Sequence, residues 1–87
     1  MVMREFKYKI TDPEGIHARP AGTLVKQASG YACAVKLEKD GKEVDAKRIM
    51  SVMTLGVKHG TEITVKCEGE GEETAIVELE KFFKENL

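Results

Sequence analysis

The sequence predicts an α+β fold, a four-stranded antiparallel sheet with three helices packed on one of its faces in the order β-α-β-β-α-β-α. Three observations predict it. Apolar residues alternate with polar ones in four short runs, which gives each strand one dry face and one wet face. Two other runs repeat their apolar residues at helical spacing, and a third crowds them as in a short helix. Strands that are wet on one side suit an antiparallel sheet, because a parallel sheet is normally buried on both faces.

The elements follow in chain order. Phe6, Tyr8 and Ile10 alternate with Glu5, Lys7 and Lys9 as a half-buried strand, and Thr11-Asp12-Pro13-Glu14-Gly15 breaks the pattern. From Ala18 to about Ser29, Ala21, Leu24, Val25 and Ala28 recur at helical spacing, with Gly30 as the C-terminal cap. Cys33, Val35 and Leu37 alternate with Ala34, Lys36 and Glu38 in a second strand. Asp40-Gly41 signals a tight hairpin, and Val44 and Ala46 lie on the return strand. Ile49, Met50, Val52, Met53 and Leu55 crowd together up to Gly56, as in a short helix with apolar residues on more than one face. Ile63, Val65 and Cys67 alternate with Glu62, Thr64 and Lys66 in a fourth strand. Glu72 and Glu73 open the last helix, where acidic groups suit the positive end of the peptide dipoles. Its stripe is Ile76, Leu79 and Phe83, with Ala75 and Phe82 beside it.

A chain of 87 residues fits one domain, 1–87, with a small core. Lys+Arg 14 against Asp+Glu 15 leaves a net charge of −1, which argues against a nucleic-acid module, as does the lack of an aromatic stacking platform. No apolar run approaches membrane-spanning length. Met1-Val2-Met3-Arg4-Glu5 carries charge too early for a signal-peptide core. The expectation is a cytoplasmic protein without membrane insertion, and a monomer by default. Cys33 and Cys67 lack metal-type spacing and read as two small buried side chains, with a disulfide left open. Spacing does not bring His17, His59, Cys33 and Cys67 together, so no metal site is expected; His59 in Lys58-His59-Gly60 reads as a solvated turn residue.

The run Gly15-Ile16-His17-Ala18-Arg19-Pro20-Ala21-Gly22 carries the chemistry. It places a histidine at the start of the first helix, where unpaired backbone N–H groups and the helix dipole attract anions. A neutral imidazole nitrogen there is a competent nucleophile for a phosphoryl group. The amides of Ala18 and Arg19 can then bind the phosphoryl oxygens, and the Arg19 guanidinium adds a charge-assisted contact. Pro20 lacks an N–H, but at that depth in a helix the donor has no intrahelical partner. Phosphoryl transfer depends on positioning and charge stabilisation, so this small set suffices for a carrier. Gly15, Ala18, Ala21 and Gly22 are read as keeping the surface around His17 open to a visiting protein.

Gly15-Ile16-His17-Ala18-Arg19-Pro20-Ala21 resembles the active-site signature of the HPr family, the histidine-containing phosphocarriers of the bacterial phosphoenolpyruvate:sugar phosphotransferase system. Lys47-Arg48-Ile49-Met50-Ser51-Val52-Met53-Thr54-Leu55-Gly56 resembles that family's second signature, so the resemblance spans essentially the whole chain. It implies an open-faced β-sandwich, phosphorylation of His17 on Nδ1 by enzyme I, and onward transfer to the IIA domains of sugar permeases. It implies a carrier with no turnover of its own and no cofactor, since Mg²⁺ and phosphoenolpyruvate belong to enzyme I. Arg19 matches the family's active-site arginine. The docking surface it implies comprises Pro20, Lys26, Arg48, Ile49, Met50, Met53, Thr54 and Val57, in which Met side chains adapt to several partners.

One departure stands out. The Ile-Met-x-Val-Met wording resembles the low-GC Gram-positive branch, which usually carries a regulatory serine directly before the Ile, where this chain has Arg48. Ser51 lies three residues on and reads as a plain helical serine, with a displaced regulatory site as the weaker alternative. Arg48 beside Lys47 is expected to strengthen attraction to acidic partner surfaces. Three further readings remain: the family's nitrogen-related branch, a partnership with a regulatory kinase or transcription factor, and a module that docks without transferring phosphate.

Overall fold

A computed structural model describes residues 4–87; residues 1–3, part of the run weighed as a signal peptide, lie outside the described residues. The elements are β1 (Arg4–Lys9), α1 (Ala18–Ser29), β2 (Ala34–Lys39), β3 (Lys42–Asp45), α2 (Ile49–Thr54), β4 (Glu62–Glu68) and α3 (Glu72–Asn86). This is the expected order, with strand positions read from side-chain period alone.

The sheet is antiparallel throughout, in the order β1-β4-β2-β3. Of its two inner strands, β4 pairs Phe6 with Val65 on one side and Leu37 with Val65 on the other. Ile63, Val65 and Cys67 therefore sit in the middle of the dry face, flanked by Val35 and Leu37, and all are buried. α1 and α3 cover that face with Leu24, Ala28, Leu79 and Phe83, and α2 adds Val52. Phe83 meets Phe6, Tyr8 and Phe82 edge-on at centroid distances of 5.8, 5.7 and 5.9 Å, a geometry aromatic quadrupoles favour. On the wet face Lys66 reaches Glu38 at 2.6 Å and Glu43 at 3.0 Å. Hydrogen bonds to these two carboxylates push the Lys66 ammonium pKa above its ordinary range and pull that of Glu43 down.

The β2–β3 connection is a two-residue hairpin with both central residues in the left-handed region, Asp40 at φ 51° and Gly41 at φ 82°. That is the turn whose twist matches the flanking strands. Gly30 caps α1 as expected, at φ −78°, a right-handed conformation open to any residue. Cys33 and Cys67 are free and buried, as the reading of two small core side chains expected. Burial, followed by the neighbouring Cys33, pushes the Cys67 thiol pKa up to about 12.

The two ends of α3 are fastened differently. At its start Arg4 reaches Glu73 at 3.1 Å and Glu72 at 3.8 Å, while the Gly69 amide donates to Glu72 Oε1. At its finish the Leu87 carbonyl accepts from the amides of Thr11 and Asp12 and from the Thr11 hydroxyl. That contact ties the last residue to the loop that leads into α1. No helix among the described residues is long and apolar enough to cross a membrane.

Candidate functional site

The loop into α1 is a built turn. Asp12 accepts the Gly15 amide on its carbonyl at 2.9 Å and the Glu14 amide on its carboxylate at 2.8 Å. Pro13 presets φ at the turn's second position, and Gly15 closes it at φ 67°. The next amide, Ile16 N–H, donates to the Val57 carbonyl at 3.1 Å, and the Ile16 side chain enters the core. The chain is pinned on both sides of the turn immediately before His17.

His17 is the N-cap of α1, with an extended backbone and no side-chain cap hydrogen bond. Its carbonyl accepts the Ala21 amide, which begins the helix. The imidazole is therefore not used up in capping. It is half-buried and borders an open basin of about 340 Å³ lined by Asp12, Arg19, Pro20, Thr23, Phe82 and Asn86. The first-turn amides of Ala18 and Arg19 have no acceptor among the described residues. The first turn of α1 itself carries no acidic residue. Glu14 approaches the ring from the preceding turn, with Oε2 3.9 Å from His17 Nε2.

The small residues around His17 require a correction. Gly15 and Ala21 do not open the surface, because both are buried. A Cβ at Gly15 would lie 2.3 Å from the Val57 carbonyl oxygen, so this glycine permits close backbone packing. Gly22 faces α2, where a Cβ would meet Ile49 Cδ1 at an ordinary 3.8 Å. Only Ala18 of the four is fully exposed.

The implied docking residues divide in two. Ile49, Met50, Met53 and Thr54 are exposed on α2, which packs beside α1, and Met50 is the most open of the large apolar residues at 69 %. Val52 and Leu55 turn inward and hold the helix to the core. Lys26 and Arg48 are exposed and Pro20 is half-buried. Val57 does not belong to this surface, because its side chain is only 4 % exposed and sits in the core. Lys47 differs from expectation as well. Its ammonium donates to the Tyr31 carbonyl at 2.8 Å, and the Arg48 guanidinium lies 3.8 Å from Asp45, so the pair presents less free charge than its sequence suggests. Ser51 is half-buried, with its carbonyl accepting the Thr54 hydroxyl. His59 is exposed in its turn.

Sequence reasoning missed Asp12, Thr23, Phe82 and Asn86 as lining of the basin. Thr23 lies one turn after Arg19 and donates its hydroxyl to the Arg19 carbonyl, a proximity that helical spacing encodes. Phe82 and Asn86 arrive from α3, and no local pattern reports that the end of the last helix reaches the first histidine.

Comparison with known proteins agrees with this geometry. The family described as the PTS HPr component phosphorylation site matches residues 4–85. The HPr-like protein Crh of Bacillus subtilis (strain 168) is 40 % identical over 85 residues, covering 98 % of this chain and all of that one. A solved histidine-containing phosphocarrier protein from Mycoplasma superposes with a TM-score of 0.91 at 35 % identity, covering 94 % of this chain and 93 % of the other. A Bacillus subtilis Crh structure, described as a swapped, intertwined dimer, superposes at 0.77 with 40 % identity and 92 % of each chain. With a matching signature, an open-faced sheet under three helices and relatives that share both along nearly their whole length, the chain belongs to the HPr family of the phosphotransferase system.

Proposed function

We propose that this chain is a phosphoryl carrier that accepts a phosphoryl group from phospho-enzyme I on His17 and passes it to the IIA domains of sugar permeases. The observation that carries the reading is the His17 ring, free of capping duty, beside the two unpaired amides of Ala18 and Arg19. The Nδ1 lone pair attacks phosphorus in line. The three equatorial oxygens then meet the first-turn amides, the positive end of α1 and the Arg19 guanidinium. Pro20 gives up nothing at this position, since its carbonyl still serves the helix. On this reading the protein is a covalent relay with no turnover of its own. Mg²⁺ and phosphoenolpyruvate act in enzyme I, and the relay runs in the cytoplasm.

The partners would seat on α2 and the first turns of α1. The exposed Ile49, Met50 and Met53 make an apolar face rimmed by Lys26 and Arg48, the composition that several differently shaped acidic partners can share. Arg48 occupies the position of the branch's regulatory serine, so a serine kinase would find no hydroxyl there.

The test is incubation with phosphoenolpyruvate, Mg²⁺ and enzyme I. The expected product is an acid-labile, base-stable phosphate on His17 that is absent in His17→Ala. Phosphate on any other residue, or none, defeats the reading. Transfer to a sugar-type IIA domain that exceeds transfer to a nitrogen-type one separates the two branches.

A second reading is a docking regulator that works without transfer. It draws on the similarity to Crh, whose solved structure is described as that of a catabolite repression protein. Partner binding unchanged in His17→Ala, together with no phosphotransfer, supports it. The dimeric Crh structure also weighs against the default of a monomer. Sedimentation of this chain across a range of concentrations measures its own state.

A further inference from the structure

Glu14 is a feature of this site that the relay reading does not use. The Asp12-Pro13-Glu14-Gly15 turn is fixed by the two hydrogen bonds to Asp12, by the proline ring and by the Gly15 backbone packed under Val57 and Lys58. It carries a carboxylate to within 3.9 Å of one ring nitrogen of His17, Nε2. Asp12 and Arg19 also line the basin that His17 borders, and the Asp12 carboxylate accepts the Glu14 amide. Arg48 on neighbouring α2 is paired with Asp45, and α3 contributes only Phe82 and Asn86 to the basin. Among the described residues Glu14 is the carboxylate within 4 Å of an imidazole nitrogen, beyond direct hydrogen-bond reach but close enough for its charge to act on the ring.

An imidazole has one proton to place when neutral, and the acceptor beside one nitrogen decides which nitrogen holds it. We propose that Glu14 is a positioning residue for the acceptor histidine: the charge of its carboxylate favours the ring proton on Nε2 and so leaves the Nδ1 lone pair free for the incoming phosphoryl group. The proposal rests on the relay reading for its purpose, though not for its geometry. In the transfer step a bond forms from phosphorus to Nδ1 while the bond from phosphorus to the donor atom breaks, and the donor atom keeps that electron pair. The ring gains a positive charge, the proton stays on Nε2, and Glu14 faces a cation. The carboxylate therefore favours the phosphorylated state over the free one.

Two measurements test this on the full chain, with Glu14→Ala beside wild type and Glu70→Ala as an exposed acidic control. The first is the nitrogen-15 shift of the two ring nitrogens in the neutral imidazole, which reports the tautomer and needs no phosphoryl donor. Wild type and Glu70→Ala are expected to hold the proton mainly on Nε2, with a roughly two- to fivefold shift toward Nδ1 in Glu14→Ala. The second is the phosphorylated fraction at equilibrium with enzyme I and phosphoenolpyruvate. It is expected to fall about three- to tenfold in Glu14→Ala, with the difference shrinking at 1 M salt as screening removes a surface charge effect. A tautomer ratio and equilibrium both unchanged in Glu14→Ala overturn the role of Glu14. A wild type that takes no phosphoryl group overturns the relay reading instead, and the tautomer ratio still decides the placement of the proton.

Discussion

Gly15 and Val57 are packed backbone to backbone: the Val57 carbonyl accepts the next amide, Ile16 N–H, and a Cβ on Gly15 would lie 2.3 Å from that same oxygen. Gly15 also sits at φ 67°. Gly15→Ala therefore meets backbone on one side and an unfavourable conformation on the other. The expected cost is about 1–3 kcal/mol or more, seen as a melting temperature lowered by at least roughly 5 °C. Gly22→Ala, facing a flexible Ile49 methyl at 3.8 Å, is expected to leave the melting temperature nearly unchanged.

Arg19 is exposed and shares the basin with His17, so its removal should leave the fold alone. Arg19→Ala is expected to slow phosphoryl transfer to His17 roughly 10- to 100-fold, the worth of one charge-assisted contact. Stopped transfer time courses with enzyme I in excess measure it, and an unchanged circular dichroism spectrum guards against a folding defect.

Met50 stands clear of the core at 69 % exposure. Met50→Glu is expected to change stability by no more than about 0.5 kcal/mol. It should weaken binding to enzyme I about tenfold or more, because it puts a charge in the centre of an apolar contact face. Calorimetric titration alongside thermal melting separates the two effects.

Phe83 closes the sandwich by meeting three aromatic rings edge-on while fully buried. Phe83→Ala should cost about 3–5 kcal/mol, read from the urea midpoint. For so small a domain that is a large share of the total.

The Cys67 thiol pKa, pushed up to about 12 by burial, makes stability fall at high pH. The sign follows from linkage. The unfolded chain loses the Cys67 proton near pH 9 while the folded chain holds it to about 12, so stability is complete below the first value and drains away between the two. Tyr31 acts in the same direction, its pKa raised by burial and by the hydrogen bond its hydroxyl makes to Glu78. Urea midpoints at pH 8 and pH 10.5 are expected to differ in wild type and to differ less in Cys67→Val.

Much of this architecture was legible from side-chain period. Val35, Leu37, Ile63, Val65 and Cys67 follow strict alternation, and every one faces the core. The Asp40-Gly41 hairpin was legible because few residue pairs accept two positive φ values. His17 at the entrance to α1 was legible as well, since cap position is a local property. Exposure on α2 was not legible from side-chain period, although the resemblance placed Ile49, Met50, Met53 and Thr54 on a docking surface and all four are exposed. In a six-residue helix with apolar residues all round, Val52 and Met50 look alike until neighbouring elements cover one of them. Val57 failed for the same reason, since nothing beside it in sequence reveals that its backbone receives Ile16 from across the molecule. The charge on Lys47 looked free because its acceptor, the Tyr31 carbonyl, is a backbone atom that sequence patterns do not weigh.

Leu87 ends beside the turn that presents the histidine, whereas Arg4 lies at the opposite end of α3, a helix about 22 Å long at 1.5 Å per residue. A fluorophore, affinity handle or surface linker fused after Leu87 would emerge beside the basin that His17 borders and, on the relay reading, crowd an approaching protein. The same attachment near Arg4, at the far end of α3, leaves that basin clear for pull-down or single-molecule work.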